Sequence, residues 1–140
     1  MSRRLEITDR FARRFRFLTL LRVSLVLGAL WDAAFALLLG FAPEPSARLF
    51  DLPLPPLPEG AFYLWVLGVL LLMLAALYVI AARDPRRYSG ILAVAVGGRI
   101  LGGLVMLLAA ARGVSGLYPM AAADLAFGIS HAAFWLPIRS

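Results

Sequence analysis

Asp32, Arg99 and Asp124 sit inside three separate apolar stretches of this 140-residue chain, and His131 follows in the same stretch as Asp124. Two carboxylates and a guanidinium can form an ion pair, hold a polar or anionic group, or exchange protons. At mid-membrane depth each charge costs roughly 2.5–3.5 kcal/mol on insertion scales, so a partner or a task is expected for each. Asp124 and His131 stand seven apart, which places them on one helical face with Phe127 and Gly128 beside them. Other reactive chemistry is sparse. No cysteine is present, which excludes disulfides, iron–sulfur clusters and thiolate metal sites. His131 is the one histidine, so a single chain cannot supply bis-histidine haem ligation or a three-histidine zinc site. All 14 basic residues are arginine, which excludes a Schiff-base lysine. No cofactor and no metal are expected, and no catalytic triad can be read.

The elements that must position these groups follow from hydropathy. The chain is 62% hydrophobic and 16% charged, with a mean hydropathy of +0.86. A soluble domain carries about 45–50% apolar and about 25% charged residues, so this composition belongs in lipid. Four apolar stretches run from about Leu18 to Phe41, Ala61 to Ala82, Ser89 to Ala111 and Leu117 to Leu136. Each has roughly the 20 residues needed to cross a ~30 Å hydrocarbon core. The first is too long for the h-region of a signal peptide and is read as a retained span. The expected fold is an all-α, up-down-up-down four-helix transmembrane bundle forming a single domain over residues 1–140.

Charge in the connections sets an expected orientation. Arg83, Arg86 and Arg87 lie between the second and third spans, and arginines crowd the N-terminus. The connection from Ala42 to Gly60 carries Glu44, Asp51 and Glu59 against Arg48. The positive-inside rule then puts both termini in the cytoplasm. The net charge of +6 clusters beside an apolar stretch, a pattern of contact with anionic lipid and not with nucleic acid. Leu5, Phe11, Phe15 and Leu18 recur at helical spacing within a basic segment, 1–17, expected to be an interfacial amphipathic helix. The proline- and leucine-rich loop from Pro43 to Pro58 is expected to lie on the membrane surface or to lid the bundle.

At 1.5 Å per residue, Arg99 lies roughly 15 Å from the cytoplasmic edge, Asp124 roughly 19 Å and Asp32 roughly 21 Å. The short link between the third and fourth spans favours an Arg99–Asp124 pair, while Asp32 could share that guanidinium or stand apart. Trp31 and Phe127 are the expected walls of the polar cluster, and Gly98, Gly102 and Gly103 the expected helix-packing glycines. The cluster has two readings: an ion pair that fixes helix register, or a ligand pocket.

From Leu27 to Phe134 the chain resembles the small four-helix bacterial membrane proteins of the DoxX-like group. The resemblance rests on Gly40-Phe41-Ala42-Pro43 closing the first span and on the loop Leu49-Phe50-Asp51-Leu52-Pro53. It extends to Tyr63-Leu64-Trp65-Val66-Leu67-Gly68, to Gly98-Arg99-Ile100-Leu101-Gly102 and to Asp124, where relatives often carry Glu. It implies an intramembrane Arg–acid pair in the bacterial inner membrane and a lead towards quinol-linked partners, with no assigned reaction. Three functions follow as expectations. The first is an accessory or ligand-binding protein that holds a lipid- or quinone-type molecule or joins a larger membrane complex or homo-oligomer. The second is an acid–base enzyme acting on an isoprenoid or lipid, and the third a small transporter or proton-conducting oligomer.

Overall fold

The computed structural model describes residues 2–52 and 58–139, with side chains described from residue 12 onward. In hydrocarbon no water takes up backbone N–H and C=O groups, and a helix satisfies them within one segment. Every regular element among the described residues is accordingly helical. These are α1 (Ser2–Phe41), α2 (Pro43–Leu49), α3 (Glu59–Arg83), α4 (Ser89–Ala111) and α5 (Tyr118–Arg139), with a 3-10 turn at Ser115–Leu117. Four helical stretches are long and apolar enough to cross a membrane: Ala12–Phe41, Glu59–Arg83, Ser89–Ala111 and Ser115–Arg139.

The 40 residues of α1 form one unbroken helix about 60 Å long, roughly twice the hydrocarbon thickness. From Ser2 onward the basic segment therefore continues the first span without a break. Of its expected apolar face, Leu5 and Phe11 lie outside the described side chains; Phe15 is exposed and Leu18 packs on the core.

The connection expected as a loop contains α2. Pro43 opens this helix, and Pro45 falls in the same first turn, where backbone N–H groups have no intrahelical partner to lose. Glu44 in the first turn and Arg48 in the last match the helix dipole. Ser46 is fully buried and donates to the carbonyls of Ala42 at 2.6 Å and Leu38 at 3.2 Å, fastening α2 to the end of α1. Phe50 then stacks on Phe35 of α1 with ring centroids 5.2 Å apart. Its backbone lies where a Cβ on Gly116 would be, so the segment after α2 abuts the link into α5.

α1 is the spine of the bundle. It packs along α3 on one side and α5 on another, α4 packs along α5, and α3 meets α4 over a smaller area. Leu21, Leu25 and Ala29 of α1 meet Ala75, Tyr78 and Ala81 of α3, with Leu92 of α4 and Trp135 of α5 completing the cluster. Alanines at the seams let backbones approach, the usual basis of helix association in lipid. Between α4 and α5 the approach needs glycine. A Cβ on Gly103 would sit 2.7 Å from Leu125 Cγ, and one on Gly128 2.9 Å from Ile100 Cγ1. Gly98 departs from expectation: it is exposed, and a Cβ there would meet nothing within 4 Å.

The outer surface inverts that of a soluble protein. Phe62, Val94, Leu101 and Val105 are among many large apolar side chains turned outwards, which suits a hydrocarbon solvent. Arg22, low in α1, extends its Nη2 to donate to the Arg83 carbonyl at 3.1 Å, satisfying one free carbonyl at the C-terminus of α3.

Candidate functional site

Arg99 lies near the middle of α4, and its side chain reaches residues of all three other long helices. Nη2 donates to Asp32 Oδ1 of α1 at 2.7 Å, and Nη1 donates to Asp124 Oδ1 of α5. Nε donates to the Tyr78 hydroxyl of α3 at 2.9 Å. Nη2 also lies 3.4 Å from the Gly28 carbonyl, a long hydrogen bond back to α1. Two rings flank the guanidinium, Tyr78 at 5.2 Å and Phe127 at 5.3 Å from its carbon. Asp32 is 1% exposed, Arg99 6% and Asp124 18%, so the cluster is sealed on the α1 side and opens slightly at Asp124. Gly102 faces Asp124 Oδ2 and leaves the carboxylate its space.

A rigid fork explains why arginine suits this position. Its three nitrogens take three partners at once, whereas a lysine ammonium would act as a point charge. The three ionisable groups carry a formal net charge of −1 when all are ionised. Asp32 is the acid left incomplete, because its Oδ2 is buried without a hydrogen-bond partner among the described residues.

His131 is fully buried on the same layer. Its ring meets Tyr78 edge-on at 5.6 Å and Phe127 at 6.0 Å, and it faces Gly28. Neither ring nitrogen makes a well-formed hydrogen bond among the described residues, although the backbone of Ser24 in α1 lies beside the ring. A buried polar atom left unsatisfied costs about 1–3 kcal/mol, and three such atoms in one layer set it apart from the apolar seams around it.

An apolar groove of about 410 Å³ runs between α1 and α5, lined by Leu20, Val23 and Leu27 on one side and Ala123, Ala126 and Phe134 on the other. Ser24, Phe127 and Ser130 also line it. Ser130 gives its proton to the Phe127 carbonyl at 3.0 Å, so Ser24 is the donor in the 3.1 Å contact between the two hydroxyls. Phe127 thus borders the groove while its ring covers the Arg99 guanidinium and touches His131.

The structure gathers Asp32, Arg99, Asp124, His131 and Phe127 into one layer. Trp31 is on the periphery: it is 37% exposed and packs on Phe35 at 4.9 Å and on the outer side of Phe127 at 6.4 Å. Tyr78, Ser24 and Ser130 escaped the sequence reading. The signal for Tyr78 was a lone polar-tipped ring near the end of an uncharged span; the two serines carry no comparable mark. Among the described residues no three His, Cys, Asp or Glu side chains gather as a metal site. No protein-family model, curated protein or solved structure matches the chain.

Proposed function

We propose that the protein is an integral membrane ligand-binding bundle that takes an apolar molecule with one polar head, of lipid or isoprenoid-quinone class, into the α1/α5 groove. One observation carries this reading: an apolar groove open to lipid is divided by the Phe127 ring from a layer holding three unsatisfied buried polar atoms, on Asp32 and His131. Such a layer suits a carbonyl, hydroxyl or ester head, whose donors and acceptors would complete His131 and Asp32 while the tail fills the groove. Arg99 holds the walls in register and lends the head a positive field.

Native mass spectrometry on gently solubilised protein, with lipid and quinone extraction from the same sample, tests the proposal. Wild type is expected to retain a discrete small molecule that Ala126→Trp, which fills the groove, does not. Identical small-molecule content in the two proteins defeats it. A stoichiometric protein partner with no small molecule makes the chain an accessory subunit instead.

Placement in the membrane belongs to the same proposal. Arg14 of α1, Arg86 of the α3–α4 connection and Arg139 of α5 line one basin, which supports an up-down bundle with both termini on the side of that connection. The positive-inside rule then makes this side cytoplasmic, in keeping with the DoxX-like resemblance and an inner-membrane location. A second reading, acid–base catalysis on an isoprenoid or lipid, draws on the free Asp32 Oδ2 and His131. Asp32→Asn and His131→Phe would each abolish such turnover, and full activity in both would eliminate it.

A further inference from the structure

A second concavity, separate from the groove, lies where the start of the first span, the α3–α4 connection and the end of α5 converge. It has a volume of about 320 Å³, and Arg14, Arg86 and Arg139 all line it, together with Trp135 and Ser89. These arginines come from three distant parts of the chain, so the fold and not local sequence brings them together. All three are exposed at one end of the bundle, where the positive-inside pattern gathers arginines, and here they line one shared space. None of the three has an acidic partner among the described residues. Asp84, the nearest acid in sequence to Arg86, spends its Oδ1 on the backbone N–H of Arg87.

The rest of the basin fits an anion held at headgroup depth. Arg139 stacks its guanidinium over the Trp135 ring at 5.1 Å, which orients the fork and leaves its N–H edge free. Trp135 itself is buried, near the end of α5. Ser89 adds a hydroxyl at the first turn of α4, whose N-terminus no side chain caps. Planar arginine forks pair bidentately with phosphate or carboxylate oxygens, and a phosphate has oxygens enough for two or three forks at once.

We infer that this basin is a phosphate-binding site. The phosphate is either the headgroup of an anionic lipid drawn from the surrounding leaflet or a free phosphate. The site is independent of the groove proposal and needs only that the chain is a membrane bundle.

The test uses the full chain in phosphatidylcholine nanodiscs containing phosphatidylglycerol, with retained lipids read by native mass spectrometry. Arg14→Gln, Arg86→Gln and Arg139→Gln are made singly and together. Arg48→Gln with Arg112→Gln, which removes two arginines outside the basin, serves as the charge control. Preference for phosphatidylglycerol is expected to fall about fivefold per basin arginine and roughly a hundredfold in the triple variant. The control should keep its preference. A triple variant that still selects phosphatidylglycerol, or a control that loses it equally, overturns a lipid-headgroup site and leaves the phosphate arm to decide. A second arm titrates inorganic phosphate in phosphatidylcholine-only nanodiscs by phosphorus NMR. Broadening seen in wild type and lost in the triple variant assigns a free phosphate; no broadening beside retained lipid selectivity assigns a lipid headgroup. Failure of both arms ends the proposal, whatever occupies the groove. Because Gln alters packing as well as charge, thermal unfolding of each variant accompanies both arms, and a folded triple variant with unchanged lipid selectivity and unchanged phosphate broadening is decisive.

Discussion

Tyr78 accepts the Nε–H of Arg99 at 2.9 Å, and with Asp32 and Asp124 on the terminal nitrogens each nitrogen of the guanidinium has a partner. One side chain therefore ties α4 to α1, α3 and α5. Loss of that hydroxyl in Tyr78→Phe keeps the ring against the cation and removes a single acceptor. Interhelical hydrogen bonds in lipid average about 0.6 and reach about 1.7 kcal/mol, so a destabilisation of about 1 kcal/mol is expected in reversible mixed-micelle unfolding. No measurable change would mean that the contact contributes geometry without energy.

Removing the cation should be worse than removing the cluster. Arg99→Ala leaves two carboxylates facing each other in a dry layer, at a cost of about 3–5 kcal/mol. Adding Asp124→Ala should restore part of the folded yield, and adding Asp32→Ala more. Size-exclusion profiles of the three variants rank them; a steady decline with each added change would show that the residues are uncoupled.

The glycines of α4 and α5 separate into two kinds. Ala at Gly128 would press on Ile100 Cγ1 and on the Arg99 Cβ at 3.2 Å, and overpacking of this type costs about 1–3 kcal/mol. At Gly98 the added methyl meets nothing, so Gly98→Ala should leave stability unchanged or slightly raised. Thermal melts of the two variants in one detergent decide the contrast.

His131 offers the sharpest division between stability and function. With no well-formed hydrogen bond at either nitrogen, His131→Phe relieves poorly satisfied polar atoms and should hold or raise the melting temperature. Retention of the co-purified small molecule should be lost in the same variant. A protein that is strongly destabilised and empty would instead mark His131 as structural.

The four apolar helices were legible because hydropathy summed over a span is a strong signal that packing does not override. What hydropathy cannot carry is azimuth. Gly98 and Arg99 are neighbours in sequence but about 100° apart around the helix, so Gly98 meets no neighbouring helix, while Gly102 faces Asp124 and Gly103 shares the Arg99 stripe. Depth alone left open whether Asp32 joins the guanidinium, because that depends on which face α1 turns towards α4. The proline-rich connection looked irregular; Pro43 and Pro45 are confined to the first turn of α2, the one place in a helix that tolerates them. Tyr78 was hidden because a tyrosine in an apolar helix reads as packing until its hydroxyl finds a cation.

Asp32 and Arg99 are separated by 67 positions in the chain. At synthesis rates of about 5–20 residues per second, roughly 3 to 13 s pass between the first residue and the second. For that interval the first span carries a carboxyl group whose counter-ion does not yet exist. Its passage into lipid has to be completed protonated, or delayed until the third span arrives. The ion pair that locks the finished bundle is thus out of reach of the first helix while that helix is being made.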